Sequence, residues 1–310
     1  MISVLLDGVM VENYIVEMRN INTLTLKKNV EDLMKEQMIN IGEVNLVKTE
    51  VKNIGKRRDS MRVLFVGDIH THNYMLDDIK RLDEKYKFDK VICLGDYVDD
   101  WLSSGYDSIE TLNKIIELKN SDKDKYTLLI GNHELSYLGY PCSGHQYNQE
   151  NDIQNLLLKN IDLFDLFTIV QLEDKEYVCT HAGITNSFLY GNIVDIDNWK
   201  DELTIINSNQ QYKLNFLKHL TYCSYIRGGN NEYSSFVWCD KREHLYISER
   251  DQYIVPYQIV GHTPVQTVSN IEGVSLNLFF TDTHSTYRDG RPIGDKSYLM
   301  WDNSEFKIIY

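Results

Sequence analysis

The sequence predicts an α/β fold built on parallel strands, because short apolar segments alternate with amphipathic helical segments from residue 61 onward. Apolar strands are predicted at 63–66, 91–94 and 127–130, with helices between them at 74–86 and 108–119. Each strand runs directly into a cluster of polar residues and glycine. Because ligands of parallel α/β sheets bind at the carboxyl ends of strands, these clusters mark the predicted functional site.

The rest of the chain continues this pattern with two interruptions. Further strands are predicted at 177–180, 258–260, 276–281, 297–301 and 306–310. Two long stretches, at about 139–176 and 184–256, contain helix-like pieces and break the alternation. We interpret them as lids over the strand ends, where insertions commonly determine substrate choice.

Residues 1–60 are predicted to form an appendage to a main domain at 61–310. Within this segment Asn29 is a candidate N-cap for an amphipathic helix, and 43–51 alternates like a short strand. A charged linker follows at 56–59. One hypothesis for the segment is that it docks a partner.

The composition of the 310 residues fits a folded, acidic protein. Hydrophobic residues make up 42%, enough for a sizeable core, which excludes global disorder. The formal net charge of −14 argues against non-specific nucleic-acid binding, which requires a basic surface. Nucleotide and phosphopeptide substrates stay compatible with this charge, because bound metal ions add positive charge locally.

Cysteine usage and the first residues bear on the compartment. The five cysteines include no C-x-x-C pair, and Cys93 and Cys179 lie in apolar segments, which is typical of free thiols in a reducing cytoplasm. The first residues lack a basic region and carry Asp7 within their apolar stretch, unlike a signal peptide. No segment reaches membrane-spanning length, so we expect a cytoplasmic protein without a membrane partner.

Five glycine-containing motifs at the predicted strand ends carry potential metal ligands. They are GDIH (67–70), GDYVDD (95–100), GNHE (131–134), THAG (180–183) and GHTP (261–264). A pair of divalent ions about 3.5–4 Å apart requires one bridging carboxylate and further oxygen and nitrogen ligands from separate strands. The residues that provide this set are Asp68, His70, Asp96, Asn132, His181 and His262. Because the set contains no thiolate, it favours Mn²⁺, Fe or Zn²⁺ over Ca²⁺.

A purely structural interpretation competes with the metal site at each motif. A single aspartate at a strand end is usually a turn former, and a lone buried histidine is usually a hydrogen-bonded core residue. Five such motifs in order at successive strand ends are much harder to explain in this way. The full set therefore predicts a site for two metal ions.

The order of the motifs resembles the calcineurin-like metallophosphoesterase superfamily over about residues 62–310. GDYVD followed by GNHE is most similar to its phosphoprotein-phosphatase branch, which includes symmetrical diadenosine tetraphosphatases and small bacterial and phage phosphatases. The resemblance implies a four-layer α/β fold in which two mixed sheets are flanked by helices, here with helical insertions.

The resemblance also implies a role for each motif residue. Asp68 and His70 would hold the first ion, Asp96 would bridge the two ions, and Asn132, His181 and His262 would hold the second. His133 would be the general acid, and Asp99 would orient it and raise its pKa. A metal-bridging hydroxide would attack phosphorus in line. Independently of the family, histidine suits proton transfer near neutral pH, and a carboxylate partner fixes its tautomer.

The sequence departs from the branch at the residue that follows GDYVD. An arginine usually stands there and grips the substrate phosphate, whereas this chain has Asp100. We predict that Arg227, in the segment YIRGG, binds the phosphate instead. The alternative is a surface arginine in front of a turn. Pro264 stands where many members of the superfamily carry another histidine ligand.

These observations predict a metal-dependent phosphoesterase with two divalent ions, preferentially Mn²⁺, that hydrolyses phosphomonoesters or phosphoproteins. A nucleotide or dinucleoside polyphosphate hydrolase is the alternative within the enzyme class, and it should close a pocket lined by aromatic residues from 184–256. A binding protein that kept the fold and lost catalysis is a third hypothesis. The complete set of ligands disfavours it.

Overall fold

The computed structural model describes residues 4–6, 9–11, 61–140, 145, 148–248, 252–272 and 276–310. The chain divides into two compact units, 1–57 and 58–310. In the first unit, strand β1 (Val4–Leu6) pairs antiparallel with β2 (Val9–Val11). The helix predicted from residue 30 and the strand predicted at 43–51 lie outside the described residues.

The second unit is an α/β structure whose strands and helices follow one another along most of the chain. Its strands are β3 (Val63–Val66), β4 (Lys90–Cys93), β5 (Tyr126–Leu129), β6 (Phe164–Asp165), β7 (Thr168–Leu172), β8 (Lys175–Cys179), β9 (Tyr257–Val260), β10 (Ser269–Glu272), β11 (Asn277–Phe280), β12 (Tyr298–Asp302) and β13 (Glu305–Ile309). Its α-helices are α1 (Tyr74–Tyr86), α2 (Gly105–Ser121), α3 (Asn132–Tyr137), α4 (Glu150–Lys159), α5 (Asn186–Asn192), α6 (Trp199–Ser208), α7 (Gln210–Phe216) and α8 (Lys241–Ser248). Short 3₁₀ helices occupy Ile161–Leu163, Ile196–Asn198, Leu217–Thr221 and Tyr225–Arg227.

The strands form two mixed sheets. In the six-stranded sheet the order is β13-β12-β3-β4-β5-β6, in which β3 to β6 are parallel and β12 pairs antiparallel with both β3 and β13. In the five-stranded sheet the order is β10-β11-β9-β8-β7, in which β11, β9 and β8 are parallel and both edge strands are antiparallel. Two mixed sheets flanked by helices confirm the predicted fold class.

The side chains of β3 show how the core is divided between two layers. Val63 and Phe65 pack with residues of the second sheet such as Ile259, whereas Leu64 and Val66 pack on the helical side. All four β3 residues are fully buried, as expected for a central strand that is covered on both faces. The two sheets therefore pack face to face, and the carboxyl ends of their parallel strands can supply one common site.

Element bounds agree with the predicted ones in most of the second unit. β3 and α1 have the predicted bounds, and the other predicted strands differ by one or two residues at either end. The stretch 139–176, predicted as a lid, contains β6, β7 and the start of β8, which belong to the sheets. Among the described residues, no helix combines the length and the apolar composition needed to cross a bilayer.

Candidate metal centre and active site

The loops at the ends of five strands meet at one place and carry the predicted site residues. Asp68 and His70 follow β3, Asp96 and Asp99 follow β4, Asn132 and His133 begin α3 after β5, His181 follows β8 and His262 follows β9. A cleft of about 440 Å³ opens beside them. The structure thus brings the six predicted ligands together with the predicted general acid and its carboxylate.

Glycine allows two of these loops to approach the carboxylates closely. A Cβ atom at Gly131 would lie 2.1 Å from Asp96 Oδ1, and one at Gly261 would lie 2.3 Å from Asp68 Oδ1. Because both distances are shorter than a real contact, a larger residue at either position would displace a carboxylate. The backbone N–H of His262 donates to the same Asp68 oxygen at 2.7 Å and fixes its position.

His181 is the centre of one group of potential ligands. Its Nδ1 lies 2.7 Å from the carbonyl oxygen of Leu94 and must donate there, because a carbonyl only accepts. Its Nε2 lies 3.0 Å from Asn132 Oδ1, 3.1 Å from His262 Nδ1 and 3.2 Å from Asp96 Oδ2. A proton on one of the two imidazole nitrogens, or a metal ion between the ligand atoms, can satisfy this convergence.

His70 organises a second group beside the first. Its Nδ1 lies 2.6 Å from the carbonyl oxygen of Asp99, so Nε2 is again the atom that can bind a ligand. That Nε2 lies 3.6 Å from Asp68 Oδ2 and 3.7 Å from Asp96 Oδ2.

Four residues of the site have a positive φ angle: His70 (+42°), Asp96 (+53°), Asp99 (+61°) and His262 (+61°). This left-handed conformation costs about 1 kcal/mol for each non-glycine residue and is typical of loops that must aim functional side chains.

Asp96 belongs to both groups of ligand atoms. One group contains His70, Asp96 and His133, and the other contains Asp96, His181 and His262. In each group the ligand atoms lie within 4.8 Å of one another. Among the described residues, Asp96 is therefore common to both groups of potential ligands. Buried carboxylates and imidazoles without a thiolate fit Mn²⁺, Fe or Zn²⁺.

The carboxylates of the cluster favour a positive charge at its centre, either protons on the histidines or metal ions. Burial lowers the pKa of His181, but the Asp96 and Asp68 carboxylates outweigh it and raise the pKa to about 9. Burial opposes ionisation of His70 as well, and the hydrogen bond and charge of Asp68 raise its pKa well above the ordinary value. Without a metal, both histidines are therefore in the positively charged imidazolium form at neutral pH.

Binding of two divalent ions at pH 7 should release about two protons per chain, one from His70 and one from His181. Asp96 contributes none, because the charges of neighbouring histidines outweigh burial and hold its pKa well below the ordinary value. His262 contributes none, because burial lowers its pKa. Titration calorimetry with Mn²⁺ in buffers of different ionisation enthalpy measures the number. The apparent affinity should rise from pH 7 to pH 9, and binding without proton release would contradict these charge states.

His133 belongs to the ligand group of His70 and Asp96, and Asp99 holds its ring. Its Nδ1 lies 2.9 Å from Asp99 Oδ2, so Nε2 is available to a molecule in the cleft that His133 lines. The Tyr137 hydroxyl donates to the other Asp99 oxygen at 2.5 Å. Sequence reasoning missed Tyr137, although its position four residues after His133 on α3 places both on one helix face.

Glu134 ties the loop after β4 to the start of α3. Its Oε2 accepts the backbone N–H groups of Asp96 and Gly131, each at 2.9 Å. Its Oε1 accepts those of Tyr97 at 2.7 Å and Val98 at 3.2 Å. Sequence reasoning gave this residue no role, although a glutamate three residues after a helix N-cap is a known capping signal. One buried carboxylate thus positions the Asp96 backbone.

Glu134→Gln should lower the free energy of unfolding by about 3 kcal/mol, because the amide nitrogen cannot accept the N–H groups that the carboxylate oxygen accepts. Urea denaturation at constant metal concentration measures the change. Glu110→Gln, at an exposed position on α2, is the matched control and should change the free energy by less than about 0.5 kcal/mol. Equal effects of the two substitutions would contradict the assigned role of Glu134.

Asp100 lies in the cleft wall, and its carboxylate is engaged there. Its Oδ1 accepts a hydrogen bond from Thr286 Oγ1, in the segment between β11 and β12, at 3.0 Å. The same segment carries Arg288, whose guanidinium lies over the Trp101 ring at 4.9 Å from the ring centroid. Arg288 and Trp101 both line the cleft. The segment that Asp100 contacts through Thr286 therefore also places the Arg288 guanidinium at the cleft. No motif in the sequence indicated a role for Arg288.

Arg227 lines the cleft as well, next to the ligand groups. Its Nη2 donates to Thr263 Oγ1 at 3.1 Å and to the carbonyl oxygen of His262 at 3.3 Å. Its Nε lies 2.7 Å from Asp240 Oδ2. The predicted phosphate-binding arginine is thus beside the cluster, and its role stays a prediction.

An α/β fold with carboxylates and imidazoles converging at its strand ends, beside a histidine held by a carboxylate, is characteristic of metal-dependent phosphoesterases. Residues 61–266 match the calcineurin-like phosphoesterase family, and the chain belongs to that family. A 131-residue segment is 31% identical to the serine/threonine-protein phosphatase 6 catalytic subunit of Drosophila melanogaster, covering 41% of this chain and 41% of that protein. The chain thus matches about two fifths of the length of that curated relative.

Solved structures of phosphatases superimpose on the chain at low sequence identity. A protein serine/threonine phosphatase from Saccharomyces cerevisiae aligns with a TM-score of 0.48 and 12% identity, covering 80% of this chain and 79% of that chain. A cold-active protein-tyrosine phosphatase of a psychrophilic Shewanella species aligns with a TM-score of 0.46 and 16% identity, covering 81% and 80%.

Proposed function

We propose that this protein is a phosphatase that hydrolyses phosphate monoesters, including phosphoprotein, with the help of two divalent metal ions. The observation that carries the proposal is the Asp96 carboxylate, which two groups of potential ligands share within 4.8 Å. A carboxylate with a purely structural role would need only one of these two groups as hydrogen-bonding partners. The family to which the chain belongs supports the same reaction class.

The ligand groups would divide the two ions between them. Asp68 and His70 would hold the first ion, Asn132, His181 and His262 would hold the second, and Asp96 would contact both. When bound, such ions supply Lewis acidity that activates water and offsets the charge of the phosphate. Among metals that fit mixed oxygen and nitrogen ligands, we propose Mn²⁺, with Fe and Zn²⁺ as alternatives.

His133 would give a proton to the leaving oxygen of the substrate. Asp99 holds its Nδ1 and so presents Nε2, which is the geometry of a histidine oriented for proton transfer. Tyr137 positions Asp99 from the other side. With this proton the leaving group departs as an alcohol and not as an alkoxide. The predicted metal ligands alone do not supply such a proton.

Two arginines would take the place of the phosphate-binding arginine that usually stands at the position of Asp100. Arg227 lies next to His262, and Arg288 lies over Trp101, and both line the cleft. Guanidinium groups bind phosphate oxygens through charge-assisted hydrogen bonds. We propose that Arg227 contacts the phosphate that is hydrolysed and that Arg288 contributes from the mouth of the cleft.

Hydrolysis of p-nitrophenyl phosphate with and without added Mn²⁺ tests the proposed function. We expect turnover that depends on the metal and that a chelator abolishes. A parallel comparison of a phosphopeptide, diadenosine tetraphosphate, cyclic nucleotides and RNA ends should favour the phosphopeptide. Absence of metal-dependent turnover on every substrate would contradict the proposal.

Hydrolysis of nucleotides is a second candidate function, which the aromatic residues of the cleft favour. Trp101, Trp238 and Tyr287 line it, and Trp101 and Tyr287 are each 52% exposed. Exposed rings of this kind can stack on a nucleobase. A higher kcat/KM for diadenosine tetraphosphate than for the phosphopeptide would favour this second function.

We also propose a reducing cytoplasm as the compartment. Cys93, Cys179 and Cys239 are buried free thiols, and burial raises the pKa of Cys93 to about 12. Thiols of this kind act as small hydrophobic residues.

The helical stretch within 184–256 would act as a lid, and residues 1–60 would dock a partner.

A further inference from the structure

A second groove adjoins the catalytic cleft. It measures about 390 Å³, is open to solvent, and is lined by residues that include Lys241, Arg242 and Thr263. Arg227 and Pro264 line both the cleft and this groove, so the two are adjacent. Because both cavities are open to solvent, a molecule bound in the cleft can reach the groove past these two residues.

The groove concentrates positive charge on an acidic chain. Three cationic side chains, Arg227, Lys241 and Arg242, face a single carboxylate, that of Asp240. The local balance is positive, although the net charge of the chain is −14. The Arg242 side chain is 67% exposed, whereas Asp240 is almost completely buried. Such a patch attracts anions at short range.

Asp240 holds both arginines of the groove in place. Its Oδ2 lies 2.7 Å from Arg227 Nε, and its Oδ1 lies 2.8 Å from Arg242 Nε. The Arg242 Nη2 also donates to the carbonyl oxygen of Ile226 at 3.1 Å. In the described parts of the chain neither arginine uses Nη1 in a hydrogen bond, so both keep donors for a ligand. Guanidinium groups that are already fixed bind an anion at a lower entropic cost.

We propose that this groove binds a second anionic group of the substrate, next to the phosphate that is hydrolysed in the cleft. The proposal rests on the proposed phosphatase function. The chemistry recognised is a carboxylate or a phosphate. Its source is either an acidic side chain near a phosphorylated residue or a further phosphate of a nucleotide, and both sources bind guanidinium in the same way.

The test compares pairs of substrates in which one member carries the second anion. Comparing the ratio within each pair between wild type and variant cancels any difference in the bond that is hydrolysed. One pair is a phosphoserine peptide flanked by glutamates and the same peptide flanked by glutamines, and the other pair is adenosine diphosphate and adenosine monophosphate. In the wild-type protein, kcat/KM should be higher for the more acidic member of at least one pair. Arg242→Gln should reduce that ratio about fivefold, mainly through KM, and added salt should reduce the difference.

Arg81→Gln is the matched control, because Arg81 on α1 is also exposed and paired with an aspartate, Asp78, but lies outside both cavities. It should leave both ratios unchanged. A reduced ratio for the peptides identifies the acidic side chain as the source, and a reduced ratio for the nucleotides identifies the phosphate. Ratios in Arg242→Gln that equal those of the wild type for both pairs would overturn the proposal.

Binding measurements separate this inference from the proposed function. In a His133→Asn background, calorimetry with Mn²⁺ compares the affinities of the acidic and neutral phosphopeptides and of the two nucleotides without turnover. Arg242→Gln should reduce the affinity ratio for the same pair by about the same factor. A wild-type protein that hydrolyses none of the substrates would contradict the phosphatase function, and the binding ratios would still decide the role of the groove.

Discussion

Asp96→Asn is expected to lower kcat/KM for p-nitrophenyl phosphate by about 10³-fold, the largest effect of any substitution in the cluster. Both groups of potential ligands share this side chain, so its change affects both ion sites. Asparagine offers one neutral oxygen in place of two charged ones and cannot bridge two ions. Steady-state kinetics at saturating Mn²⁺ measure the loss.

Asp100→Asn is the matched control for Asp96→Asn. It neutralises a carboxylate of the same loop that lines the same cleft but lies outside both ligand groups. We expect kcat/KM to stay within a few fold of the wild-type value, because Asp100 binds Thr286 and not a ligand residue. A loss as large as that of Asp96→Asn would show that the charge of the loop, and not bridging, is what matters.

His133→Asn is expected to lower kcat by about 10²–10³-fold on a phosphoserine peptide, the second largest effect. The reason is that a serine alkoxide leaves only with a proton, which His133 would provide. The loss on p-nitrophenyl phosphate should be much smaller, because nitrophenolate leaves readily without one. The ratio of the two losses is therefore the informative quantity.

The structure also offers another role for His133, because it belongs to the ligand group of His70 and Asp96. If His133 held a metal ion, its replacement would remove that ion and would lower the rates of both substrates alike. Equal losses for the two leaving groups, together with a reduced Mn²⁺ content of the variant, would contradict its assignment as the general acid.

The positions of the potential ligand residues could be predicted from local sequence because strand ends are local features. A buried parallel strand such as β3 is a continuous apolar segment, and the polar residues that follow it, Asp68 and His70, must lie at its carboxyl end. Each of the other ligand residues follows a strand in the same way. Their convergence follows from parallel strand direction and needs no knowledge of side-chain contacts.

The residues that support the ligands could not be predicted in this way. Glu134 acts through four backbone N–H groups that belong to two loops, and Arg288 reaches the cleft from a segment nearly two hundred residues after Asp96. Strand β6, within the stretch predicted as a lid, is only two residues long and pairs with β5, which lies more than thirty residues earlier in the chain. Contacts between segments far apart in sequence decide all of these features.

The number of metal ions bound per chain tests the central claim most directly. Elemental analysis of the wild-type protein and of Asp96→Asn, after equilibration with Mn²⁺ and removal of free metal, measures it. The shared position of Asp96 between two ligand groups predicts two ions per chain in the wild type and at most one in the variant. A wild-type protein that binds a single ion, or a variant that retains both, would contradict the bridging role of Asp96.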